Sequence, residues 1–158
     1  MILKNVVMED CTNYCKTNMF LIFPHCTFKC DKECGMKLCQ NSSLINLPNI
    51  EISTDNLVRK YINNSITHAI VCGGLEPFDS FDDLLELVEK LRTEYDCNDD
   101  IVVYTGYNKE EIVDKITKLK NFNNIVIKYG RFIPNQKPHL DPILKIYLAS
   151  DNQYAEKL

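Results

Sequence analysis

Short, continuous apolar runs and longer amphipathic stretches take turns along the chain. Met19 to Phe23 (MFLIF), His68 to Cys72 (HAIVC), Ile101 to Thr105 (IVVYT) and Ile125 to Ile127 are the apolar runs. Runs this short, rich in β-branched residues and nearly free of polar alternation, predict strands buried on both faces. Between them the period changes to that of a helix. Leu57, Val58, Tyr61 and Ile62 form a stripe within Thr54 to Asn63. Phe81, Leu84, Leu85, Val88, Leu91 and Tyr95 form a second, from Ser80 to Tyr95. Ser80 stands at its N-cap, and Asp82 and Asp83 fall in the first turn, where the helix dipole favours acids. Ile112, Val113, Ile116 and Leu119 form a third, behind Asn108-x-x-Glu111, which resembles a capping box. Ile2 to Val7 reads as a short strand or lead-in, Asn41 to Ser53 as a loop, and Ile143 to Leu148 (ILKIYL) as the last strand.

Strands alternating with helices predict βαβ units, a parallel sheet and right-handed crossovers. Four or five units are too few for an eight-fold barrel. The expected fold is therefore α/β: a partial (βα) barrel with a curved, mainly parallel sheet, or an open sheet, in a single domain over residues 1–158. In either architecture ligands bind beyond the C-terminal ends of the strands. Those ends carry Phe23 to Asn41 (FPHCTFKCDKECGMKLCQN), Gly73-Gly74-Leu75-Glu76-Pro77 and Thr105-Gly106-Tyr107. Three unusual segments are thus expected to meet on one edge.

Composition narrows the chemistry. Hydrophobic residues at 45% and charged residues at 25% are an ordinary globular balance. A net charge of −4 leaves no basic footprint for nucleic acid. No apolar run reaches the ~18 residues of a membrane span, and Met19 to Pro24 lacks the length and basic flank of a signal peptide. The expectation is a cytoplasmic protein without nucleic-acid or membrane partners. There, eight cysteines point to metal or redox chemistry rather than disulfides. Cys72 and Cys97 read as packing residues, and Cys11 and Cys15 as a pair that could add a metal or disulfide site. Cys26, Cys30, Cys34 and Cys39 crowd into 14 residues, with His25 beside them. Their spacing lets successive thiolates reach one iron–sulfur cluster. Four cysteines could also chelate zinc in a non-catalytic binding module, although zinc sites favour C-x2-C pairs and this stretch has none.

The pattern F-P-H-C-x3-C followed by C-Q-N-S resembles the cluster loop of radical S-adenosylmethionine enzymes, above all the activating proteins of anaerobic ribonucleotide reductases. That family has C-x3-C-x2-C followed by an aromatic or polar residue and Asn. On the resemblance the cluster ligands are Cys26, Cys30 and Cys39, a C-x3-C-x8-C loop with six residues inserted; Cys34 as third ligand is the alternative. Leu38 stands where the family has an aromatic residue, and Gln40-Asn41 match the pair that the family carries after its third cysteine. Gly73-Gly74-Leu75-Glu76-Pro77 resembles the Gly-Gly-Glu-Pro element that meets the amino group of S-adenosylmethionine, with Leu75 inserted. Tyr104-Thr105-Gly106-Tyr107 resembles W/Y-T-G-Y, Tyr129-Gly130-Arg131-Phe132 resembles D-G-R-F, and Asp151-Asn152-Gln153 resembles S-N-Q, all in family order. The resemblance implies a [4Fe–4S] cluster with one open iron and S-adenosylmethionine bound near Leu38, Gln40, Asn41, Gly73, Gly74, Glu76, Thr105 and Gly106. It implies reductive cleavage to a 5′-deoxyadenosyl radical, which installs a glycyl radical on an anaerobic ribonucleotide reductase. Flavodoxin or ferredoxin would supply the electron, and no general base is required. A radical enzyme acting on a small molecule or peptide is the second reading. Arg131 reads as a surface charge that could instead contact the cofactor carboxylate; His25 and His68 read as structural.

Overall fold

In chain order the computed structural model, which describes residues 1–158, has ten strands: β1 (Ile2–Leu3), β2 (Asn5–Asp10), β3 (Asn18–Phe23), β4 (Ile50–Glu51), β5 (Ala69–Gly74), β6 (Asp100–Tyr104), β7 (Ile125–Tyr129), β8 (His139–Leu140), β9 (Tyr147–Leu148) and β10 (Tyr154–Lys157). The α-helices are α1 (Lys29–Cys34), α2 (Thr54–Ile62), α3 (Phe81–Glu89) and α4 (Val113–Leu119).

The four apolar runs become β3, β5, β6 and β7. They lie side by side and parallel. The full sheet runs β10-β7-β6-β5-β3-β2, with antiparallel β2 and β10 at its two edges. Successive parallel strands step in one direction, so right-handed crossovers place α2, α3 and α4 on the same face. The side chains record this. Leu21, Phe23, Ile70, Cys72, Ile101, Val103, Ile125 and Ile127 join Leu57, Leu84, Leu87 and Ile116 in one large core. The alternate residues Ala69, Val71, Val102 and Val126 form a smaller core with Tyr14, Leu144 and Leu148 on the opposite face. Coverage of both faces is why the central strands read as unbroken apolar runs.

Several expectations are corrected. Ile143 to Leu148 is not a sheet strand. Asp141 Oδ1 accepts the N–H groups of Ile143 and Leu144 at 2.9 and 2.8 Å, and Lys145 takes φ 59°, so the backbone turns there. Only Tyr147–Leu148 pairs, with His139–Leu140. The last sheet strand is β10, a polar Tyr-Ala-Glu-Lys segment at the sheet edge that pairs on one side only, with β7. Ile2 to Val7 divides into β1 and the start of β2. The Asn41 to Ser53 loop contains a 3₁₀ turn at Ser42–Asn46 and β4, which pairs with β1. Val113 is half-exposed rather than part of the buried stripe, because the 3₁₀ turn Lys109–Glu111 resets the helical frame before α4.

Ser80 does not cap α3. Glu76 caps the preceding 3₁₀ turn Pro77–Ser80, its carboxylate accepting from Phe78 N–H at 3.1 Å. The Ser80 hydroxyl is buried without a partner. Ser80→Ala should therefore raise stability by about 1 kcal/mol, since it removes an unsatisfied polar group. A capping serine would lose about that much instead. The denaturant midpoint of the variant distinguishes the two signs.

Candidate metal centre

Parallel pairing puts the C-terminal ends of β3, β5, β6 and β7 on one edge, with Phe23 opposite Gly74 and Tyr104 opposite Lys128. The cysteine segment leaves β3 there and is stitched to the turn after β5. Glu76 N–H donates to the His25 carbonyl at 2.7 Å, and Thr27 N–H to Asp79 Oδ2 at 2.9 Å. Asn41 Nδ2 donates to the Gly74 carbonyl at 2.8 Å, tying the far end of the segment to the same turn. Between these anchors the chain makes an excursion. Phe28, at φ 52°, starts α1, and Gly35, at φ 66°, ends it. Asp31 Oδ1 then accepts the N–H groups of both Leu38 and Cys39 at 2.9 Å. One carboxylate oxygen so folds Cys39 back toward Cys30, despite the eight residues between them in sequence.

Cys26, Cys30 and Cys39 are half-buried, whereas Cys34, on α1, is exposed. Cys30 and Cys39 line one cavity of about 350 Å³, together with Leu38, Gln40 and Asn41. Cys26 and Cys30 line a second, of about 20 Å³, with Glu76, Gly106 and Arg131. A Cβ built on Gly106 would lie 3.2 Å from Cys30 Sγ, so any side chain there would press on that sulfur. Burial pushes the Cys26 thiol up to about 12 and raises Cys30 and Cys39 as well. Phe28 N–H donates to Cys26 Sγ at 3.2 Å. No three His, Cys, Asp or Glu side chains converge tightly enough to hold one ion. Three half-buried thiols on one strand edge supply the soft sulfur donors that an iron–sulfur cluster takes.

Of the other residues singled out from sequence, Glu76 is buried. Its carboxylate accepts from Phe78 N–H and, at 2.9 Å, from Gly106 N–H. Burial pushes its pKa up to about 7. Thr105 is buried and accepts from Tyr107 N–H at 2.9 Å, so it shapes the turn. Gly73 packs under the Phe20 ring and beside Tyr104, and lines neither cavity itself. Arg131 is buried rather than on the surface. It forms a bidentate pair with Glu111, both bonds 2.7 Å, and its Nε lies 3.1 Å from Glu33 Oε2 without hydrogen-bond alignment. The guanidinium holds Glu111 down to about 2. Lys29 of α1 reaches the same carboxylate at 3.1 Å, so the cysteine helix is clamped to the turns after β6 and β7. His25 and His68 are exposed and engage through their backbones. Cys11 and Cys15 are exposed free thiols, and Cys72 is core. Sequence reasoning passed over Lys128, which lines the larger cavity. Its signal was a lysine inside the apolar strand Ile-Val-Ile-Lys-Tyr.

No helix is long and apolar enough to cross a membrane. Searches of curated proteins and of solved structures find no match. The profile of a family described as a 4Fe-4S single cluster domain matches residues 8–154. Zinc is thereby set aside in favour of iron and sulfide. Since the match runs from within β2 to the first residue of β10, the chain belongs to the 4Fe-4S single cluster domain family and contains a 4Fe-4S cluster-binding domain.

Proposed function

We propose that the chain is a radical S-adenosylmethionine activase that installs a glycyl radical on an anaerobic ribonucleotide reductase, with Cys26, Cys30 and Cys39 holding the cluster. One observation carries the reading: the cysteine loop, the Gly73–Pro77 turn and the Thr105–Gly106 turn share one strand edge and are hydrogen-bonded to one another through Glu76, Asn41 and Gly106. We read the sequential parallel strands, with all crossover helices on one face, as a partial (βα) barrel, the expected frame for such a site.

When bound, the reduced cluster supplies one electron for cleavage of the S-adenosylmethionine sulfonium, and the adenosyl fragment supplies the hydrogen-atom acceptor. The protein binds, orients and excludes water. Glu76 accepts two N–H bonds and retains lone pairs for an ammonium. Leu38, Gln40 and Asn41 wall the adjoining cavity and so position the group that lies against Cys39. Asn41 and Asp31 fix the loop, and Gly106 keeps the edge open beside Cys30. Flavodoxin or ferredoxin would serve as the external one-electron donor.

The test is anaerobic reconstitution with iron and sulfide, followed by dithionite and S-adenosylmethionine. Methionine and 5′-deoxyadenosine should form in equal amounts, and a co-encoded reductase should acquire a glycyl radical visible by electron paramagnetic resonance. Cluster-loaded protein that forms no 5′-deoxyadenosine defeats the proposal. Product without a glycyl radical on the reductase redirects it to a small-molecule or peptide substrate.

A further inference from the structure

Lys128 is a buried cation that forms no ion pair, although the Glu76 carboxylate and the Cys30 thiol act on it through space. It sits near the end of β7, on the sheet face opposite the helices, in a strand whose five residues are all buried. It is 7% exposed. Its Nζ donates to one acceptor, the Gly130 carbonyl at 3.0 Å, and it takes part in none of the ion pairs of the molecule. An ammonium has three donors. Burying one without a negative partner costs several kcal/mol. Glu76, the buried acid on the same edge, keeps free lone pairs beyond its bonds from Phe78 and Gly106 N–H groups but makes neither an ion pair nor a hydrogen bond with Lys128. Gln153, a neighbour in the cavity wall, shares the Gly130 carbonyl with Lys128 and is neutral. What Lys128 does share is a cavity with Cys30 and Cys39.

We infer that Lys128 is the internal counter-ion of the cluster, a positioning residue whose charge makes the cluster easier to reduce. Three thiolates around a [4Fe–4S] core carry net negative charge in both oxidation states. Reduction takes one electron from an external donor and adds one more negative charge beside the ammonium. Lys128 itself is buried, so that added attraction is less screened than it would be between exposed charges. The inference depends on Cys30 and Cys39 as ligands and not on S-adenosylmethionine.

The experiment is a redox titration of reconstituted protein, with dithionite as the one-electron donor, followed by electron paramagnetic resonance without S-adenosylmethionine. Lys128→Met, which removes the charge at similar volume, should lower the potential by about 60 mV or more, a tenfold step for a one-electron couple. Lys128→Arg should recover most of that loss. A Lys128→Met potential equal to that of the native protein overturns the inference. So does a potential that responds to the substitution only once S-adenosylmethionine is added, which would assign Lys128 to a carboxylate. Thermal melts supply a second readout if loading is poor. Cluster-free Lys128→Met should melt higher than the cluster-free native protein, because the uncompensated ammonium is gone. Equal or lower melting of the cluster-free variant defeats the counter-ion role.

Discussion

Cys39→Ala is expected to abolish cluster binding, while Cys34→Ala leaves it intact. After anaerobic reconstitution, Cys34→Ala should bind about four irons per chain with broad absorbance near 400 nm, and Cys39→Ala should bind almost none. The two thiols look alike in sequence, and Cys34 lies nearer to Cys30. Space reverses that order. Cys34 lies on a helix with no buried residue and is exposed. Cys39 is drawn in by the Asp31 carboxylate and shares the Cys30 cavity. Cys26→Ala and Cys30→Ala should match Cys39→Ala. Loss of iron from Cys34→Ala with retention in Cys39→Ala would exchange their roles. Because structural metal binding adds to folding free energy, the three ligand variants should also lose the rise in melting temperature that reconstitution gives the native chain.

Gly74→Ala is expected to be strongly destabilising. Gly74 has φ 78°, and a Cβ there would lie 2.5 Å from Ile22 Cγ2 and 3.2 Å from the Ile22 Cα. Left-handed backbone costs a non-glycine residue about 1–2 kcal/mol. Overpacking against β3 adds roughly 1–3 kcal/mol. Together these take a large share of the ~5–15 kcal/mol that holds a typical domain folded. At about 2–4 °C per kcal/mol, the melting temperature of the cluster-free chain should fall by roughly 5–15 °C. Gly35→Ala is the control. It shares a positive φ, 66°, but its Cβ would meet nothing within 4 Å, so it bears the backbone cost alone. Equal melting of the two variants would show that contact with Ile22 is relieved by a shift of β3.

The central sheet was readable because its strands are covered on both faces and therefore apolar throughout; the three crossover helices were readable from their single apolar stripes. Their alternation alone places the cysteine loop, the Gly73–Pro77 turn and the Thr105–Gly106 turn on one edge. The features that escaped depend on tertiary partners. β10 is polar because an edge strand needs only one neighbour, whereas Ile143 to Leu148 is apolar because Leu144 and Leu148 pack into the smaller core from a turn. α1 has six residues and no buried side chain, so no periodicity betrays it. Arg131 reads as a surface charge until Glu111, from the turn after β6, is seen to grip it. Lys128 reads as a strand interruption until the cavity beside it is seen.

Asp31 separates two lengths that usually travel together. The path along the chain from Cys30 to Cys39 is long, but the hydrogen bonds from Leu38 and Cys39 close it at its base, before the third cysteine is presented. Residues Lys32 to Lys37 therefore form an exposed bulge on the protein's outer side, touching the rest of the site through Glu33 beside Arg131. Its length and sequence can drift while the sulfur positions hold, and the bulge is free to acquire an outside contact of its own. A spacing rule for three-cysteine loops then describes the closed base rather than the count of residues between the thiols.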